Sequence, residues 1–125
     1  MTLSTHVLDA TTGRPAAGVA VLLERRGQDG TWTQAASDRT DADGRLRLLS
    51  ESPGAGESGG ASESGGEPGT GVWRITFGSG DYFASRGVAT FYPEVTVTFE
   101  VSSPAEHHHV PLLLSPFAYS TYRGS

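Results

Sequence analysis

The sequence predicts an all-β antiparallel sandwich with one short helix. Apolar residues alternate with polar ones over several short runs, the period of two expected of strands with unlike faces. Turn-forming residues separate those runs, and only one short segment reads as a helix. About eight short strands at this spacing favour a sandwich over alternating β and α units.

The elements follow in order. Residues 3–8 form the first strand candidate, closed by the turn Thr12, Gly13, Arg14, Pro15. Val19, Val21 and Leu23 then alternate with Ala20, Leu22 and Glu24, and Gln28, Asp29 and Gly30 turn the chain into a strand at 31–36. Asp43 and Gly44 mark the next turn, before a strand at 45–49. Trp73, Ile75 and Phe77 lie opposite Val72, Arg74 and Thr76. A helix is expected at 80–85, with Gly87 placed to end it. Val95, Val97, Phe99 and Val101 alternate most cleanly of all, with Thr96, Thr98 and Glu100 between them. Strands at 108–114 and 119–122, joined through Ser115 and Pro116, complete the set.

Residues from about 51 to 71 break the pattern, being nearly all Gly, Ser, Glu and Pro. Such a stretch cannot bury enough apolar surface to offset its ordering entropy, so a flexible surface loop is expected. Reading it as a linker would leave about fifty residues on each side, two marginal half-domains. Residues 1–125 are therefore expected to form one domain.

Composition excludes several functions. The chain has no cysteine, hence neither disulfides nor thiolate chemistry. No apolar run approaches the roughly 20 residues that cross a bilayer, so no membrane partner is expected. The start lacks a basic segment followed by an apolar one, which points to a cytoplasmic protein. A formal charge of −5 with no Lys/Arg cluster disfavours nucleic acid.

The candidates for chemistry are His6, His107, His108, His109 and a few arginines, serines and tyrosines. A lone strand histidine such as His6 is more often structural or surface than catalytic. His107 and His109 would share one strand face, roughly 6.6 Å apart along the chain, with His108 on the other. Two histidines at that spacing could share a metal, but no further ligand pattern accompanies them, so no metal is expected. A guanidinium near an imidazole would keep the ring neutral and available as a base, and could also polarise a carbonyl. Sequence pattern alone does not say which arginine meets which histidine.

Three blocks go further: Leu3-Ser4-Thr5-His6-Val7-Leu8-Asp9 with Gly13-Arg14-Pro15-Ala16; Thr40-Asp41-Ala42-Asp43-Gly44-Arg45; and His109-Val110-Pro111-Leu112-Leu113-Leu114-Ser115-Pro116 running to Tyr122-Arg123-Gly124-Ser125. Together they resemble the 5-hydroxyisourate hydrolases, the transthyretin-related proteins. Gly78 to Phe83 and Phe91 to Val95 resemble that family's helix and following strand. The resemblance spans the chain apart from 51–71. It implies an eight-stranded transthyretin-like sandwich that assembles as a homotetramer with active sites at the dimer–dimer interface. It also implies hydrolysis of a small purine-derived substrate, 5-hydroxyisourate, in urate catabolism, with no cofactor. The family's catalytic positions fall on His6, Arg45, His109 and Ser125. Its substrate contacts fall on His6, Arg45, Tyr122, Arg123 and Gly124, which makes His107 and His108 neighbours of the site. A transthyretin-like carrier would share the core but not the set of His6, Arg45, His109 and the terminal Tyr-Arg-Gly-Ser.

Overall fold

The computed structural model describes residues 1–50 and 69–125. In chain order the elements are β1 (Thr2–Asp9), β2 (Arg14–Pro15), β3 (Ala20–Arg26), β4 (Trp32–Arg39), β5 (Arg45–Leu49), β6 (Gly71–Phe77), α1 (Ser79–Ala84), β7 (Val95–Val101), β8 (His107–Ser115) and β9 (Ala118–Thr121). One sheet runs β2-β1-β8-β9, with β5 also paired to β1; the other runs β4-β3-β6-β7. Among the described residues no helix is long and apolar enough to cross a membrane.

The sandwich and its short helix are as the alternating pattern predicts, and Gly87 follows α1 with φ +70°. Two features go beyond that pattern. β2 is a two-residue strand built from what reads as a turn, pairing Leu8 with Pro15 and Asp9 with Arg14. β1 and β8 pair in parallel, with Thr2 opposite His107 through to Asp9 opposite Leu114. Among the described residues the other strand pairs are antiparallel. Of the stretch expected as a loop at about 51–71, residues 51–68 lie outside the described residues, and Gly71 begins β6.

The core lies between the sheets. Leu3 and Val7 from β1 and Val110, Leu112 and Leu114 from β8 face Val21 and Leu23 of β3 and Trp73, Ile75 and Phe77 of β6. Burying each Leu, Ile or Phe side chain fully contributes about 1.5–3 kcal/mol. Tyr82 and Phe83 of α1 join the same core.

Among the described residues, polar side chains in the interior are paired but for one. The Thr5 hydroxyl donates to the Val110 carbonyl at 2.6 Å, fastening β1 to β8 from within. Asp9 accepts the Tyr82 hydroxyl at 2.8 Å and the Thr11 N–H at 2.9 Å. Burial, then this carboxylate, push the Tyr82 phenol up to about 12. His108 is the exception. It is buried on the core face of β8, and its Nδ1 has no hydrogen-bond partner.

The β4–β5 turn fixes where the chain re-enters the sheet beside β1. The Asp41 carboxylate accepts the N–H groups of Asp43 and Arg45 at 2.9 Å each, and Gly44 donates to the Asp41 carbonyl at 2.9 Å. Gly44 has φ +74°, and its carbonyl accepts the Val7 N–H at 2.8 Å. A Cβ there would run into the Val7 carbonyl oxygen and crowd Ala16 and Pro15. Only glycine therefore lets the turn close against β1.

Gly44→Ala is expected to destabilise the fold by about 2–4 kcal/mol, read from urea unfolding. A midpoint within error of the parent protein would refute this account of the turn. A second expectation concerns pH. Burial first, then the nearby Arg123 charge, lower the His108 pKa from its ordinary 6.5. The unfolded chain takes up a proton at this residue as pH falls through 6.5, while the folded chain resists doing so. Stability from this group is thus flat above 6.5 and declines below it. His108→Leu should flatten part of that decline in urea midpoints taken from about pH 8 to about pH 5.5. An unchanged slope would refute it.

Candidate active site

The same alternation that buries Leu3, Thr5 and Val7 sends Ser4 and His6 to the outer face of β1. On that face β5 brings Arg45 opposite His6 and Arg47 opposite Ser4. On the other side β8 places His109 beside Ser4 and Pro111 beside His6. His6, Arg45 and His109, far apart in sequence, therefore share one surface. From strand spacings, the backbones of His6 and His109 stand about 8 Å apart on the diagonal.

Each side chain is held locally. The His6 Nε2 lies 3.0 Å from the Asp43 carbonyl, so the turn that positions Arg45 also orients His6. The His109 Nδ1 lies 2.8 Å from the Ser4 hydroxyl. His107 shares this face; its ring stacks on that of His109, with centroids 6.4 Å apart and planes 20° apart. This matches the spacing expected of alternate residues on one strand.

The chain then returns past β9. The Gly124 N–H donates to the His109 carbonyl at 2.8 Å, an isolated bridge that lays the C-terminal segment against β8. A Cβ at Gly124 would sit 2.6 Å from the His109 Cδ2, so the absence of a side chain lets the segment pass close to the ring. Tyr122 and Ser125 are exposed and make no hydrogen bond to His6, Arg45 or His109. Arg123 turns elsewhere and pairs with Glu106 at 3.0 Å.

Burial lowers the His109 pKa below its ordinary value, and the positive charges of His107, His6 and Arg45 add to the effect. The ring is thus kept neutral and able to accept a proton near pH 7. The Asp41 carboxyl is lowered, chiefly by the Arg45 N–H. Among the described residues no group of three or more His, Asp or Glu side chains could hold a metal ion.

Ser4 and Arg47 belong to this surface and were not singled out by the sequence. Alternation from His6 reaches Ser4, and alternation from Arg45 reaches Arg47. Only the strand pairing shows that Ser4 lies between His109 on one side and Arg47 on the other.

A depression of about 470 Å³ lined by Val21, Leu22, Asp38, Arg39 and Thr76 lies on the other sheet. It holds none of these groups.

The chain matches the HIUase/Transthyretin family over residues 3–124. It is 46% identical over 123 residues to a protein of Salmonella typhimurium named 5-hydroxyisourate hydrolase, covering 98% of this chain and 80% of that one. Among solved structures it resembles Klebsiella pneumoniae 5-hydroxyisourate hydrolase, with a TM-score of 0.77, 34% identity and full coverage of both chains. It also resembles sea bream transthyretin in complex with thyroxine, with a TM-score of 0.80, 32% identity and coverage of 98% and 93%. Sequence and fold therefore agree that the chain belongs to the HIUase/Transthyretin family.

Proposed function

We propose that this protein is a 5-hydroxyisourate hydrolase acting in urate degradation. The observation that carries this reading is the convergence of His6, Arg45 and His109 on one sheet face. The hydrolase relatives supply the substrate. A thyroxine-type carrier is the alternative suggested by the sea bream structure, which shares the fold and 32% identity. It leaves clustered imidazoles and guanidiniums without a use.

The reaction opens the N1–C6 amide bond to give 2-oxo-4-hydroxy-4-carboxy-5-ureidoimidazoline. A water held between the histidines attacks C6, and one imidazole takes its proton as the new C–O bond forms. The C6–N1 bond then breaks, and N1 receives a proton from the histidine pair. His109, kept neutral by burial and neighbouring charge, suits the part of base. Arg45 stabilises the negative charge developing on the carbonyl oxygen and holds the anionic ring. Tyr122 and Gly124 contact the substrate, Arg123 joins them on leaving its exposed pair with Glu106, and Ser125 orients water or substrate. Neither a metal nor an organic cofactor takes part.

In a single chain Leu113, on the outer side of β8, and Tyr122 are exposed. A second copy laid over this outer face would supply the missing wall. This fits a homotetramer with sites where two dimers meet, each drawing on more than one subunit. The protein is read as one cytoplasmic domain over residues 1–125.

The test uses freshly generated 5-hydroxyisourate, with its ultraviolet absorbance followed over time. The parent protein should accelerate the decay, and His109→Asn should lower kcat by about a hundredfold or more without changing assembly. Near-normal turnover by that variant, or thyroxine binding without any turnover, would overturn the assignment.

A further inference from the structure

Hydrogen bonds on the outer face extend beyond His109 toward the start of β1. The Ser4 hydroxyl lies 2.8 Å from the His109 Nδ1 and 3.0 Å from the His107 Nε2. The His107 Nδ1 in turn lies 2.5 Å from the Thr2 hydroxyl. Four side chains from two strands thus form one unbroken line. The parallel register produces it, by setting Thr2 beside His107 and Ser4 beside His109.

A serine hydroxyl carries one proton, so it can donate to only one of the two rings and must accept from the other. A neutral imidazole likewise has one N–H and one bare nitrogen. With every link made, the line has only two proton arrangements. In one, His109 donates from Nδ1 to Ser4, Ser4 donates to the His107 Nε2, and His107 donates from Nδ1 to Thr2. This leaves the His109 Nε2 bare, as a base. In the other every proton is displaced by one place, and the His109 Nε2 carries hydrogen, as an acid.

We propose that Thr2, His107, Ser4 and His109 form a proton relay, in which Ser4 and His107 are positioning residues that set His109 as base or acid. The inference rests on the hydrolase reading and extends it. As water attacks, the His109 Nε2 gains a proton, its Nδ1 proton passes to Ser4, and the Ser4 proton passes to the His107 Nε2. The positive charge then resides on His107, which is exposed in the single chain and lies farther from Arg45, while His109 is neutral and holds hydrogen at Nε2. When N1 leaves, His109 gives it that proton and the line runs back. The proton taken from water thus ends on N1, and the enzyme returns to its starting state.

Burial and the charges around His109 disfavour a lasting imidazolium there, which is the reason to move the charge outward. The charged or titratable groups acting on it are His6 from β1, Arg45 from β5 and His107 from its own strand, with Arg47 of β5 across Ser4. Arg123, on the C-terminal segment, is paired with Glu106.

The test compares Ser4→Ala, Ser4→Thr and His107→Phe with the parent protein by two readouts. Nitrogen NMR of the imidazoles near neutral pH should show the parent His109 with hydrogen on Nδ1, and a mixture of tautomers in Ser4→Ala and His107→Phe. In turnover of 5-hydroxyisourate these two variants should lose about tenfold in kcat with little change in KM, and the acidic limb of the kcat profile should shift. Ser4→Thr, which keeps the hydroxyl, should restore both readouts. The relay is refuted if Ser4→Ala and His107→Phe keep the parent tautomer, kcat and pH profile, or if Ser4→Thr behaves as Ser4→Ala. Absence of turnover by the parent protein would instead refute the hydrolase reading, and the NMR arm would still report on the relay.

Discussion

The parallel register between β1 and β8 is the constraint on which the rest of the molecule depends. It holds over eight consecutive positions, from Thr2 opposite His107 to Asp9 opposite Leu114. Because side chains alternate with a period of two, that one alignment settles both faces at once. Inward it sets Leu3, Val7, Val110, Leu112 and Leu114 into the core. Outward it sets Ser4 beside His109 and His6 beside Pro111. A slip of one residue would drive His107 and His109 into the core and turn Val110 and Leu112 to solvent. Hydrophobic burial therefore enforces the alignment of the polar face, although the polar groups contribute little to the core.

How much of this was legible in the sequence varies with the range of the interaction. Alternation in Val95 to Val101 and Trp73 to Phe77 is local, and both segments are strands with the expected residues inward. The Asp43 and Gly44 turn was legible for the same reason, since Asp41 and Gly44 dictate it within a few residues. Pairing between distant strands was not. Nothing near His109 announces that Ser4 will bond to its ring, because that contact joins residues 105 positions apart. His6, Arg45 and His109 could be named from a family resemblance, but their meeting is a property of the sheet. The direction of Arg123 was beyond reach too, since Glu106 lies in the turn before β8.

The electrostatics of the outer face run against those of the chain. The protein carries a formal charge of −5, yet this face gathers Arg45, Arg47 and the rings of His6, His107 and His109. The Asp41 carboxylate in the turn accepts backbone N–H groups, and the Arg45 charge adds to the lowering of its pKa. A cationic surface on an acidic protein attracts small anions while the remaining surface repels them.

The separation of β1 from β8 along the chain also orders events in time. Local hairpins such as β3–β4 can close early, whereas a pairing between residues more than a hundred apart bears a large loop-closure entropy and comes late. During synthesis β1 emerges first and must wait for β8, with its apolar face and hydrogen-bonding edge uncovered in the interval. His6 and Arg45 can meet before then, but His109 joins them only when β8 docks. A nascent or truncated chain therefore lacks the assembled outer face, which arrives with the same event that shields the first strand from aggregation.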